Sequence, residues 1–236
     1  IIGVWSHQNL LINLNPDLTG RIEEISLSWS YDDLSSVLVK GEGYLNICFS
    51  KAVKDRLMSA CYNNVGIMQQ LALKTLDEHE IYTACKHHTA IDNIEKCDYA
   101  IMAYASQLEA LYLRFSEIVS KGIRKRRDST GIYAHTMAVI LEEKDDSLLT
   151  GVSADAIFEK ASHRQPRIQK SNLKSILEKI DEIQTDEENR GLVFSYNRGH
   201  EKVFVVDKQV LLFRKYRTIS WPWESLIAEA PLATDE

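Results

Sequence analysis

The stretch GLVFSYNRGHEKVFVV, residues 191–206, decides how the second half of the chain reads. Leu192–Tyr196 and Lys202–Val206 are rich in β-branched and aromatic residues and read as two strands. Asn197-Arg198-Gly199-His200 between them is a hairpin tip, with Gly199 expected to supply a positive φ. Upstream, Leu173, Ile176, Leu177, Ile180 and Ile183 fall on one face of a helix over Lys170–Ile183. Ser153 is the N-cap of a helix that begins Ala154-Asp155-Ala156-Ile157-Phe158, and Tyr133, Met137, Ile140 and Leu141 mark another. Downstream, Val210–Tyr216 reads as a third extended piece. Trp221-Pro222-Trp223 suits an anchor for a partner or, more commonly for such residues, an aromatic pair that packs back on its own domain.

Helices followed by a hairpin are the order of a winged helix-turn-helix. Lys170–Ile183 is then the recognition helix, with Ser171, Asn172 and Ser175 near its start. Arg164, Arg167, Lys170 and Lys174 are the candidate nucleic-acid contacts, with Arg198, His200 and Lys202 on the wing. Against this, Glu178, Asp181, Glu182, Asp186, Glu187 and Glu188 follow at once. Residues 163–202 hold eight Lys or Arg and seven Asp or Glu, a balance that suits a protein partner as well as DNA.

The whole chain has 236 residues, 28 Lys or Arg and 34 Asp or Glu, for a net charge of −6. Nucleic-acid contact therefore requires a local patch rather than a global field. Hydrophobic residues make up 44%, enough for one large or two small packed domains. No apolar run reaches the roughly 18 residues that span a bilayer, and no leader pattern is visible, so a cytoplasmic protein without membrane contact is expected. The start Ile1-Ile2-Gly3-Val4 resembles the new N-terminus of an activated serine protease, but no Gly-Asp-Ser-Gly follows. A chain starting inside a domain, on a buried strand, is the expectation.

Cys48, Cys61, Cys85 and Cys97 form no Cys-x-x-Cys pair. Cys85, His87, His88 and Cys97 lie outside the usual zinc spacings, so no metal site is expected. No His-Glu-x-x-His or Gly-x-Ser-x-Gly motif occurs.

The first 76 residues alternate strand-like and helical patterns. Ile1–Trp5 and Ile22–Trp29 read as extended. Ser30-Tyr31-Asp32-Asp33 opens a helix as a capping box, and Gly41 and Gly43 are expected to end it after about ten residues. Ser50 caps a second helix carrying Val53, Leu57 and Cys61. Asn63–Gly66 is a break before a third, Ile67–Leu76. Residues 77–95 read as a linker or loose helix and Cys97–Val119 as one long helix, followed by the basic run Lys121–Arg127, which suits either phosphate contact or a solvated helix end.

The pieces IIGVWS (1–6), LNPDLTGRIEEISL (14–27), WSYDDLSSVLVKGEGYLNICFS (29–50) and CYNNVGIMQQLALKTL (61–76) together resemble the distal half of a AAA+/STAND-type P-loop ATPase. The resemblance covers about a third of the chain. It implies a sensor strand, an arginine loop and a helical lid. Ser6 or His7 falls at the polar sensor that orients the attacking water, and Arg21 at the arginine finger. The plain alternatives are a polar strand end and an ion pair with Glu23 or Glu24. No Gly-x-x-x-x-Gly-Lys-Ser/Thr occurs, no apolar strand ends in paired acids, and Met68 and Gln69 stand where a second sensor arginine is expected. ATP and magnesium are thus cofactors implied for the parent protein, whose ATPase machinery would lie in another segment. This chain alone is not expected to bind ATP tightly.

The expected fold is mainly α with small β. The distal part of an ATPase core with an AAA+-type helical lid covers residues 1–85, and a long helix with a winged helix-turn-helix covers 96–225. The implied function is the C-terminal portion of an ATP-switched ATPase that assembles with itself or a partner and binds DNA or protein through the winged helix. Transposition, replication initiation and defence against foreign DNA are settings the resemblance implies. The alternative is a protein-interaction scaffold or sensor arm with no nucleic-acid role.

Overall fold

A computed structural model describes Asp17, Arg21 and residues 29–121, 131–185, 191–216 and 220–229. Ser6, His7, the strand expected at Ile1–Trp5, most of that at Ile22–Trp29 and residues 122–127 of the basic run lie outside these. The described chain is mainly helical with short strands. It forms two compact units. The first gathers Ile22–Glu109 and Leu212–Arg217, the second Ala110–Leu211 and Thr218–Glu236.

In the first unit, helix α1 spans Tyr31–Leu45. Its capping box is complete: Asp33 N–H donates to Ser30 Oγ (3.1 Å) and Ser30 N–H to Asp33 Oδ2 (2.9 Å). The helix runs through Gly41 and Gly43 instead of ending there. Its far end has a tertiary anchor that outweighs the glycine penalty of about 1 kcal/mol each. Glu42 is buried, its Oε1 accepts from Phe49 N–H at 2.6 Å, and its Oε2 pairs with Lys54 at 2.9 Å. The stop comes at Asn46, which is left-handed (φ 53°) and whose side-chain amide donates to the Cys85 carbonyl at 2.9 Å.

Strand β1 (Ile47–Phe49) pairs in parallel with β2 (Thr89–Ile91), Cys48 opposite Ala90. The segment read as a linker thus contains a strand. Three residues give too short a pattern to announce themselves. Helices α2 (Lys51–Ala60), α3 (Val65–Glu78) and α4 (Ile94–Gln107) follow, capped by Ser50, Asn64 and Asn93 side chains. Leu34, Val53, Leu57, Leu71, Ile91 and Ile101 are at the centre of this core, none accessible.

The expected helix over Cys97–Val119 is two, α4 and α5 (Glu109–Lys121), parted by a turn at Leu108. Residues on both sides are good helix formers, so nothing local signals the break.

The second unit continues with α6 (Ile132–Glu142), buried from Ala134 to Leu141, then α7 (Asp145–Thr150), β3 (Val152–Ser153) and α8 (Ala154–Arg164). The expected Ser153 cap is present, accepting from Ala156 N–H at 3.2 Å. Helix α9 (Lys170–Leu177) and the short α10 (Ile180–Gln184) replace the single helix expected there. Strands β4 (Phe194–Asn197) and β5 (Lys202–Val205) make the hairpin read from the sequence, with Asn197 opposite Lys202. β3 adds to the other edge of β5, giving an antiparallel sheet ordered β3-β5-β4.

The hairpin turns differently from expectation. Gly199 does not have positive φ, and the left-handed residue is Glu201 (φ 51°). Asn197 closes the tip by accepting His200 N–H at 3.0 Å on its side-chain oxygen. The piece read as extended, Val210–Tyr216, belongs to helix α11 (Gln209–Tyr216). Val210–Phe213 are four consecutive buried residues, a pattern strands and buried helices share. The Trp pair packs inward at the start of α12 (Pro222–Glu229), as expected: the rings of Trp221 and Trp223 stack at 4.8 Å, and Trp223 meets Phe115 edge-on at 6.3 Å. No described helix is long and apolar enough to cross a membrane.

Candidate nucleic-acid interface

Helix α9 turns Leu173, Ile176 and Leu177 inward, which leaves Lys170, Ser171, Asn172 and Ser175 exposed and Lys174 partly so. Its inner face follows from the apolar spacing, and its outer face is polar and mostly small. The elements around it carry the other candidate cations. Arg164 ends α8, Arg167 lies exposed in the turn that follows, Arg198 is exposed at the hairpin tip, and Lys202 opens β5 half-exposed.

The hairpin is held to α10 by two side chains. Gln184 has no solvent exposure and uses its whole hydrogen-bonding capacity. Its Nε2 donates to the Ile180 (2.7 Å) and Phe194 (2.9 Å) carbonyls, and its Oε1 accepts from Val193 N–H (3.2 Å) and Phe194 N–H (2.7 Å). Asp181 accepts from Ser195 Oγ at 2.9 Å and Tyr196 N–H at 3.2 Å, and burial pushes its carboxyl above the usual range. The sequence counts Asp181 among the acids opposing a nucleic acid. Its half-buried position makes it a strut for β4 instead.

The carboxylates that do oppose the cations come from elsewhere. Arg164 forms a two-pronged ion pair with Glu142, Lys170 pairs with Asp155 at 2.7 Å, and Lys174 pairs with Glu201. The hydrogen bond to Glu201 and then its charge hold the Lys174 ammonium above the ordinary lysine range. Arg198 donates to the Glu178 carbonyl at 3.3 Å. Lys174 and Arg198 thus tie α9 and its following turn to the hairpin, while Arg164 and Lys170 face α6 and the start of α8. Glu142, Asp155 and Glu201 were invisible to a reading along the chain, because only the fold brings them to their cations.

Two buried polar groups lie under this surface. The Tyr196 hydroxyl has no hydrogen-bond partner, and burial, then the Glu201 carboxylate, push its proton affinity up. His135 on α6 is 3% exposed with both ring nitrogens unpartnered. Burial, then the Arg164 charge, lower its pKa. A hollow of about 420 Å³ opens between Leu111, Phe115 and Ile118 on one side and Gln184, Leu192 and Val193 on the other.

Among residues expected to serve a nucleotide, Arg21 lies exposed in a turn, and Ser6 is outside the described residues. All four cysteines are free thiols, and Cys97 has no solvent exposure. Among the described residues, no three His, Cys, Asp or Glu side chains are grouped to hold a metal. No family model, curated protein or solved structure matches this chain.

Proposed function

We propose that this chain is the C-terminal portion of an ATP-switched P-loop ATPase of the AAA+/STAND type, and that residues 132–205 are a winged helix engaging the backbone of duplex DNA. The observation that carries the DNA reading is the polar outer face of α9, Lys170, Ser171, Asn172, Lys174 and Ser175, flanked by Arg164, Arg167, Arg198 and Lys202. The order of two helices, a strand, three helices and two strands, with the first strand paired to the last, supports the winged-helix reading. The helical first unit, with a polar-capped helix at each turn, supports the lid reading. ATP and magnesium enter through the parent ATPase, and the wing and helix supply the grip that its conformational cycle moves.

A labelled 20-base-pair duplex titrated with the chain at low salt tests the DNA reading by fluorescence anisotropy. The wild type is expected to bind with strong salt dependence. Lys174→Glu with Arg198→Glu is expected to weaken binding at least tenfold. Binding unchanged by both substitutions overturns the reading. A second reading, a protein-docking winged helix, is favoured by the three ion pairs that already neutralise Arg164, Lys170 and Lys174. It predicts a partner contact that survives high salt.

A further inference from the structure

Each of three candidate phosphate-binding cations is already occupied by a carboxylate of its own unit, and the three carboxylates come from three separate places in the fold. Glu142 closes α6, Asp155 lies in the first turn of α8, and Glu201 precedes β5. Their partners Arg164, Lys170 and Lys174 are the cations that end α8 and line α9. Glu201 is the most telling. It holds a left-handed backbone conformation that favours Gly or Asn. At that position its carboxylate reaches Lys174 from the hairpin while its carbonyl accepts Ala154 N–H at 2.8 Å.

We propose that Glu142, Asp155 and Glu201 are built-in phosphate mimics that mask the DNA-binding surface, so that the duplex binds by exchanging carboxylate for phosphate at each cation. This rests on the DNA reading above. The pairs suit exchange rather than permanent closure. Side chains in the Lys170–Asp155 pair are each 60% exposed, and those in the Lys174–Glu201 pair 45% and 51%. Exposed ion pairs are individually weak and screened by salt, and a phosphate with its condensed counterions is a strong competitor. The mask lowers affinity without abolishing it, and it reduces the charge the protein contributes per contact. A surface of this kind releases from DNA more readily than its cation count suggests, which suits a protein that must reset after each nucleotide cycle.

The test is the same duplex titration with Glu142→Gln, Asp155→Asn and Glu201→Gln, singly and together, over a series of salt concentrations. Each neutralisation is expected to tighten binding about two- to fivefold. The triple variant is expected to steepen the slope of log affinity against log salt by up to about one per unmasked cation. A control variant carries the same change in net charge on exposed carboxylates outside the three pairs: Asp146→Asn, Glu159→Gln and Glu182→Gln. If the control tightens binding as much as the triple variant, the effect is bulk charge and the mask is refuted. If the wild type binds, loses binding on Lys174→Glu, and the triple variant is no tighter, the mask fails while the DNA reading stands. If neither the wild type nor the triple variant binds the duplex at low salt, the DNA reading fails and the mask with it.

Discussion

His135 concentrates an unusual amount of unpaired polarity in one buried side chain. Neither ring nitrogen has a partner, and the ring is enclosed within the second unit close enough to Arg164 to feel its charge. Burial and that charge both favour the neutral imidazole, so its folded pKa lies below the unfolded value of about 6.5. The unfolded chain then binds more protons than the folded one as the pH drops below about 6.5. The contribution of neutral His135 is complete above that pH and is lost as pH falls through the folded pKa. His135→Leu is expected to raise stability by about 1 kcal/mol at neutral pH, because it removes an unsatisfied buried group. Its advantage over wild type should widen below pH 6.5 by as much as about 1.4 kcal/mol per pH unit. Urea unfolding of both proteins from pH 5 to 8 checks this, and using the difference cancels the opposite contribution of Asp181, whose raised pKa favours the folded state in acid. A constant difference across the range would show that His135 does not titrate in this way.

The turn from α7 into β3 depends on a glycine more strictly than the hairpin tip does. Gly151 has φ +95°, and a Cβ placed there would run into the Phe204 ring. Gly199 has no positive φ, and its nearest obstacle, the Asn197 side-chain oxygen, is 3.4 Å from an added Cβ. Gly151→Ala is therefore expected to cost about 3 kcal/mol, and Gly199→Ala less than about 1 kcal/mol, by thermal or urea unfolding. Equal costs would mean that Phe204 and the turn relax freely. The sequence invites the opposite ranking, because a glycine in a hairpin tip is the familiar signal and one before a two-residue strand is not. The same contrast runs through the other elements. Ser30, Ser50 and Ser153 announced their helices because a cap is a local bond, complete within four residues. The pair Ile47–Phe49 and Thr89–Ile91 was missed because its partners are distant in sequence, and Val210–Phe213 was misread because a short apolar run has no period of its own. In the candidate interface the cations were legible and their carboxylates were not. Glu142 lies 22 residues from Arg164 and Glu201 lies 27 from Lys174.

The whole chain has a net charge of −6 and lacks a phosphate-binding glycine loop. Under the proposed reading it closes over a nucleotide pocket supplied by another segment. A fluorescent ATP analogue titrated onto the 236-residue chain with magnesium is accordingly expected to show no binding below about 100 μM, roughly 5.5 kcal/mol on the affinity scale. Micromolar binding would place the nucleotide site within this chain and displace the lid reading. The two short parallel strands carry a consequence for how the first unit is made. Ile47–Phe49 and Thr89–Ile91 meet only after two helices, α2 and α3, have been laid between them, and the ladder extends through Ser50 N–H to the Ile91 carbonyl at 2.9 Å and Thr89 N–H to the Asn46 carbonyl at 3.2 Å. Closing so long an interval for so few bonds is entropically unrewarding until the helices have condensed. The ladder is thus a finishing clasp rather than a nucleus, and a nascent chain released before Ile91 would hold its helices without the buckle that fastens them.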